Sequence, residues 1–123
     1  MPHTHVFADD DDLVRIVVTE ALREAGVEVH SVPDGMAAVD LCRELAPETV
    51  LLDLDMPQMD GFETARRIRA AECTKRIVAM TGRATQNARR KAEAAGFDEC
   101  LSKPISTPAL MRALFPRSHE KFF

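Results

Sequence analysis

The sequence predicts an α/β fold in which a five-stranded parallel β-sheet is covered by helices on both faces. Three observations point there. Short apolar or β-branched runs alternate with stretches of helical spacing, five of each. Gly26, Gly96, Pro33, Pro47 and Pro108 stand where helix ends and starts are expected. Strands separated by whole helices favour parallel pairing, and right-handed crossovers then leave few topologies.

The first strand is expected at residues 6–8. In the first helix Leu13, Ile16, Val17, Glu20, Ala21 and Glu24 fall at i, i+3, i+4 positions, with the apolar members on one stripe. Asp12 is placed to cap its start and Gly26 its end. The second strand covers 27–32. The second helix starts near Asp34, turns Met36, Ala38, Val39, Cys42 and Leu45 inward, and is closed by Pro47. The third strand spans 49–54 and the third helix about 62–71. The fourth strand spans 77–80 and the fourth helix about 85–95. The fifth strand spans 98–102 and the last helix about 107–115, with Pro108 in its first turn. Residues 117–123 form a tail or the end of that helix, and Phe122 and Phe123 are able to pack back on the body or on a partner. His3 and His5 are expected on a fraying, solvated terminus.

A chain of 123 residues suits one domain, 1–123, with a core of about 4–116. Apolar content of 46% and charged content of 29% are ordinary for a soluble globular protein. No apolar run is long enough to cross a bilayer, so membrane insertion is not expected. The start of the chain lacks the basic and apolar regions of a signal peptide, which makes the cytoplasm the expected compartment. A net charge of -4 argues against direct nucleic-acid binding through phosphates. Cys42, Cys73 and Cys100 are odd in number, widely spaced and without a CxxC pair. They read as reduced thiols acting as small apolar residues, rather than as a disulfide framework or zinc site.

The chemistry-bearing signal is acidic. Asp9, Asp10, Asp11 and Asp12 follow the first apolar run, and Asp53 and Asp55 end the third. Two carboxylates about 4 Å apart repel by roughly 4 kcal/mol at an effective dielectric near 20. A hard divalent cation such as Mg2+ offsets that repulsion most simply. In doubly wound sheets the ligand site lies beyond the carboxyl ends of the strands, where strand order reverses. Asp9, Asp10, Asp53, Thr81 and Lys103 all fall at or just past a strand end. Taken singly, each is a turn, capping or solvated residue; Asp11, Asp12 and Asp60 read that way here. Together they divide the work of phosphoryl transfer into a carboxylate nucleophile, a metal seat, a cation and a hydroxyl.

The chain resembles the receiver domains of two-component signalling, the CheY-like response-regulator family. The resemblance spans nearly the whole chain. It rests on Phe7-Ala8-Asp9-Asp10-Asp11, Val50 to Gly61 around Leu52-Asp53-Leu54-Asp55-Met56-Pro57, Ile77-Val78-Ala79-Met80-Thr81-Gly82, and Gly96 to Ile105 around Leu101-Ser102-Lys103-Pro104. It implies a flavodoxin-like strand order 2-1-3-4-5. It implies Asp53 as phosphoacceptor, and Mg2+ (or Mn2+) held by Asp10, Asp53, the Asp55 backbone carbonyl and, through water, Asp9. Thr81 would be the switch hydroxyl and Lys103 the cation facing the phosphoryl group, with a cis bond from Lys103 to Pro104. Gly61 would give the loop after the acceptor its turn freedom. The phosphoryl donor would be a histidine kinase or histidine phosphotransfer protein, and the output a protein-docking face on the fourth helix, fifth strand and fifth helix. Self-catalysed phosphorylation and dephosphorylation would be the only catalysis.

Four positions depart from or tune that pattern. Cys100 stands where receivers carry Tyr or Phe, so activation is expected to rest on Thr81 and the loop after it. Gly82, where Ala is frequent, would loosen that loop. Asp55 and Arg83 are expected to pair across the mouth of the site and slow hydrolysis. The charges of Arg66, Arg67, Arg69, Arg89, Arg90 and Lys91 read as solvated helix faces. Met1 and the absence of a linker or following output domain lead to the expectation of a free-standing single-domain regulator, against a receiver excised from a kinase.

Two other classes compete. Asp53-Leu54-Asp55 resembles the nucleophile pair of haloacid-dehalogenase phosphatases, but that pair follows the first strand in a longer, capped chain. A phosphorylation-independent binding module on the receiver scaffold would have little use for a repulsive acidic cluster. Nucleotide binding lacks a Gly-rich phosphate loop.

Overall fold

The computed structural model describes residues 4–56 and 59–116. Within them the chain runs β1 (Thr4–Ala8), α1 (Asp12–Glu24), β2 (Glu28–Val32), α2 (Gly35–Leu45), β3 (Thr49–Asp53), α3 (Gly61–Ala71), β4 (Arg76–Thr81), α4 (Gln86–Ala95), β5 (Glu99–Ser102) and α5 (Thr107–Leu114). The five strands form one parallel sheet in the order β2-β1-β3-β4-β5. The tail after Pro116, Pro57 in the loop after β3, and His3 lie outside the described residues.

Alternate strand residues feed two cores, as the two-residue period of a strand requires. Val6, Ala8, Val50, Leu52, Ile77 and Ala79 face α2, α3 and α4 and pack on Ala38, Val39, Cys42, Ala65, Ile68 and Ala92. Phe7, Val29, Leu51, Val78, Met80 and Leu101 face α1 and α5 and pack on Val18, Leu22, Leu110 and Leu114. The central strand β3 is buried along its whole length, which is why its sequence is a continuous apolar run ending in Asp53.

Every helix opens on a polar cap. Asp34, Asp60, Thr85 and Ser106 accept backbone N–H groups of the first turns of α2 to α5. For α1 the cap is Asp11 and not Asp12: Asp11 has extended backbone and accepts the N–H groups of Leu13 and Val14 at 2.9 and 3.1 Å. Asp12 is already helical and pairs with Arg15. Gly26 and Gly96 take positive φ just past α1 and α4, as expected of helix ends.

The apolar stripe of α1 is another correction. Leu13, Ile16 and Val17 are 69%, 59% and 57% exposed, and the inward row is half-buried Val14 with buried Val18 and Leu22, and Thr19 beside it. Leu13, Val14, Ile16, Val17 and Val18 make the first turns apolar on more than one side, so spacing alone offers two stripes; packing selects the i, i+4 row. Met36 is likewise exposed, whereas Ala38, Val39 and Cys42 are inward. His5 is not on a frayed end: it is fully buried in β1 with its ring edge-on to Phe115.

Arg69, expected to be solvated, ties α3 to the α4–β5 connection and to the segment before β4. Its guanidinium donates to the carbonyls of Gly96 and Lys75 and to the Asp98 carboxylate. Under α5, Glu99 is 1% exposed and is met by Arg76 at 2.8 Å and Arg112 at 3.5 Å.

Candidate functional site

The strand order brings the carboxyl ends of β1, β3, β4 and β5 to one edge. Asp9 follows the last residue of β1, Asp53 is the last of β3, Thr81 the last of β4, and Lys103 follows β5. The Lys103 N–H donates to the Thr81 carbonyl at 2.8 Å, continuing the β4–β5 ladder to the site's rim. The Lys103–Pro104 bond is cis, as the resemblance implies.

Asp9, Asp10 and Asp53 each offer a carboxylate oxygen, and these lie within 4.8 Å of one another. Asp9 and Asp53 are buried, and Asp10 is exposed at the mouth. Asp9 is held from several sides: its Oδ1 accepts the Asp11 N–H at 2.9 Å, its Oδ2 accepts from Lys103 Nζ at 2.9 Å, and its carbonyl accepts from Arg15 at 2.8 Å. The Asp53 Oδ1 accepts the Asp55 N–H at 3.1 Å, and its Oδ2 lies 3.4 Å from Lys103 Nζ.

Burial pushes the Asp53 carboxyl up to about 6 from an ordinary value of 3.8; the Asp9 charge pushes the same way, against the Asp55 N–H and Lys103. For Lys103, burial alone would lower the ammonium, but its hydrogen bond to Asp9 and the charges of Asp53 and Asp9 outweigh it and hold it above the usual range. A buried carboxylate that one lysine does not fully compensate, with two more carboxylates in reach, fits a hard divalent cation.

Thr81 and Asp55 meet across the mouth, where the Thr81 hydroxyl donates to Asp55 Oδ2 at 3.3 Å and accepts the Arg83 N–H at 3.1 Å. The expected Asp55–Arg83 ion pair is therefore not formed among the described residues. Arg83 contributes its backbone to Thr81, and both side chains line a cleft of about 260 Å³ with Phe62 and Lys91. Cys100 is buried in β5, and its carbonyl accepts from Arg89, which also reaches the Ala84 carbonyl in the β4–α4 loop. A guanidinium thus bridges that loop to β5 beside the position where receivers carry an aromatic ring.

Gly61 acts differently from the expectation. Its role is close approach: a Cβ there would stand 2.5 Å from the Asp53 carbonyl and 2.8 Å from the Leu54 Cα. Gly82 has open space around it and no positive φ, so no contact requires a glycine there. Arg89, expected to be a solvated helix-face charge, instead donates to the Ala84 and Cys100 carbonyls, and Arg15 escaped sequence reasoning, since a contact six residues back to a carbonyl, or across to β5, leaves no spacing signal. Asp11 and Asp60 do turn out to cap helices.

The family model for the response regulator receiver domain matches residues 6–115. The chain is 35% identical over 121 residues to the response regulator MprA of Mycobacterium sp. (strain KMS), covering 96% of this chain and 53% of that protein. It is 32% identical over 106 residues to the sensor histidine kinase RcsC of Salmonella typhi, covering 86% of this chain and 11% of the kinase. The chain thus spans about half or much less of the curated relatives it matches. Among solved structures it is similar to the receiver domain of the sensor histidine kinase PA1611 from Pseudomonas aeruginosa, determined with a magnesium ion in its active-site cleft; identity is 28%, the TM-score 0.82, and coverage 93% of this chain and 95% of that one.

Proposed function

The chain belongs to the response regulator receiver domain family, and from that premise we propose that Asp53 is its phosphoacceptor in a Mg2+-dependent switch. One observation carries the assignment. Asp53 ends the buried central strand with Asp9 and Asp10 within metal-sharing distance, and Lys103 and Thr81 stand at the same edge.

An Asp53 oxygen attacks the phosphorus of a phosphohistidine, the P–N bond breaks, and the imidazole leaves with the electron pair. The product is an acyl phosphate on Asp53. The ionised form of Asp53 is the nucleophile. Lys103, now shared between Asp9 and Asp53, turns its ammonium to the new phosphoryl oxygens. The Thr81 hydroxyl leaves Asp55 to donate to a phosphoryl oxygen, drawing the loop after β4 inward. Asp10, Asp53 and the Asp55 carbonyl would hold the cation directly and Asp9 through water. When bound, Mg2+ or Mn2+ supplies neutralisation of the carboxylates and of the charge on the transferring group.

The donor is a histidine kinase or a histidine phosphotransfer protein. The exposed Leu13, Ile16 and Val17, beside a cleft of about 450 Å³ whose lining includes Lys103, Pro104 and Ile105, offer an apolar seat for it. The output is a protein target on the α4–β5–α5 face, not DNA or a membrane. No helix among the described residues is long and apolar enough to cross a membrane. Residues 1–123 work as one receiver domain that catalyses only its own phosphorylation and hydrolysis.

Chemical trapping tests the acceptor. Borohydride reduces an acyl phosphate to an alcohol, so a phosphorylated and trapped chain should carry homoserine at position 53. Homoserine at Asp9, Asp10 or Asp55 instead would move the acceptor and refute the assignment.

A further inference from the structure

The cysteines read as inert from the sequence, yet two of them meet. Cys42 Sγ and Cys73 Sγ lie 2.7 Å apart, both as free thiols. The sulfurs need close only to the bond length of about 2.05 Å. Cys42 is fully buried on the inner face of α2, one turn before its end. Cys73 is the second residue after α3: Glu72 between them adopts left-handed backbone, which reverses the chain and aims Cys73 back at α2. Cys73 is half-buried and lines a surface cleft of about 240 Å³ with Pro47, Glu48 and Thr74. The Thr74 hydroxyl donates to the Pro47 carbonyl at 2.8 Å and holds this segment against the turn into β3. The pair therefore sits at the amino ends of the strands, at the opposite edge of the sheet from Asp53.

We propose that Cys42 and Cys73 are a redox modification site, which a hydroperoxide converts to a reversible intramolecular disulfide linking α2 to the α3–β4 connection. The roles follow from access. Cys73, half-buried at the cleft and the more exposed of the two, attacks the peroxide; its sulfur–oxygen bond forms as the O–O bond breaks, leaving a sulfenic acid and one water (an alcohol from an alkyl peroxide). The Cys42 sulfur then displaces the hydroxyl, which leaves as a second water carrying the Cys42 thiol proton. Two thiols are oxidised by two electrons and the peroxide is reduced by two. Burial, then the neighbouring Cys73, hold the Cys42 thiol well above the usual range, so Cys42 suits the resolving role and not that of first attacker. A disulfide of this kind is transient in a reducing compartment, as redox-sensing cysteines are.

The test uses the full chain, treated with excess hydrogen peroxide without denaturant, then alkylated and weighed intact and after digestion. The parent and Cys100→Ser should each lose two alkylatable thiols and two hydrogens of mass, yield a linked Cys42–Cys73 peptide, and recover both thiols in dithiothreitol. Cys73→Ser and Cys42→Ala should give no linked peptide; the reading on the unmutated parent stands even if Cys42→Ala folds poorly. Because the pair is remote from Asp53, Cys73→Ser should accept a phosphoryl group from acetyl phosphate as the parent does. Accumulation of sulfinic acid on Cys73 with Cys42 still alkylatable, or disulfide-linked dimers in place of the internal link, would overturn the proposal.

Discussion

At the scale of residues, the site stores unfavourable charge that a cation and a phosphoryl chemistry can use. Asp53 ionises with difficulty because it is buried beside Asp9. Between about 3.8 and about 6 the folded protein holds a proton on Asp53 that the unfolded chain has released. Stability of the metal-free protein therefore falls as pH rises through that window. Asp53→Asn should remove this slope and raise stability at neutral pH, by on the order of 1–3 kcal/mol, in denaturant melts at several pH values. Saturating Mg2+ should flatten the parent's slope, since it favours the ionised form. Lys103→Ala works in the opposite sense. Asp9 and Asp53 lose the ammonium at 2.9 and 3.4 Å, and the metal-free fold should weaken by about 1–3 kcal/mol. Mg2+ should restore most of that loss if the two cations compensate the same charge. These charges were legible in the sequence as aspartates at strand ends. That Thr81, and not Arg83, takes up Asp55 was not, because the choice depends on the turn between β4 and α4.

At the scale of elements, packing decided what spacing left open. The Asp9 to Asp12 run and the five predicted helices were readable, because caps and glycines mark their ends. Which stripe of α1 is buried was not readable, because its first turns are apolar on several sides. Gly61 shows a similar limit: a glycine after Asp60 reads as turn freedom, but it stands at the start of α3 with the Asp53 carbonyl 2.5 Å from where a Cβ would stand. Gly61→Ala should therefore push α3 away from the acceptor strand, cost about 1–3 kcal/mol in stability, and slow phosphorylation of Asp53. Gly82→Ala, in open space, should change stability by no more than about 0.5 kcal/mol. A comparison of the two variants' melts and phosphorylation rates checks both statements together.

At the scale of the whole molecule, the sheet carries its chemistry on one edge and its polar locks elsewhere. The strand alternation and the motif order made the fold and the acidic set readable, since both are written in local sequence. The lock of Glu99 by Arg76 and Arg112 was hidden, because a charged residue within a short strand gives no sign of which helix will cover it. Arg76→Ala removes the 2.8 Å partner of buried Glu99 and leaves it only Arg112 at 3.5 Å, and should cost about 1–3 kcal/mol in denaturant melts without altering the Asp53 site. The central claim, that these strand ends form a working phosphoacceptor, is tested most directly by intact mass after incubation with acetyl phosphate. The parent should gain one phosphoryl group with Mg2+ and none in EDTA, and folded Asp53→Asn should gain none in either. A folded parent that binds Mg2+ but never gains the group, or an Asp53→Asn variant that gains it as readily as the parent, would contradict the account.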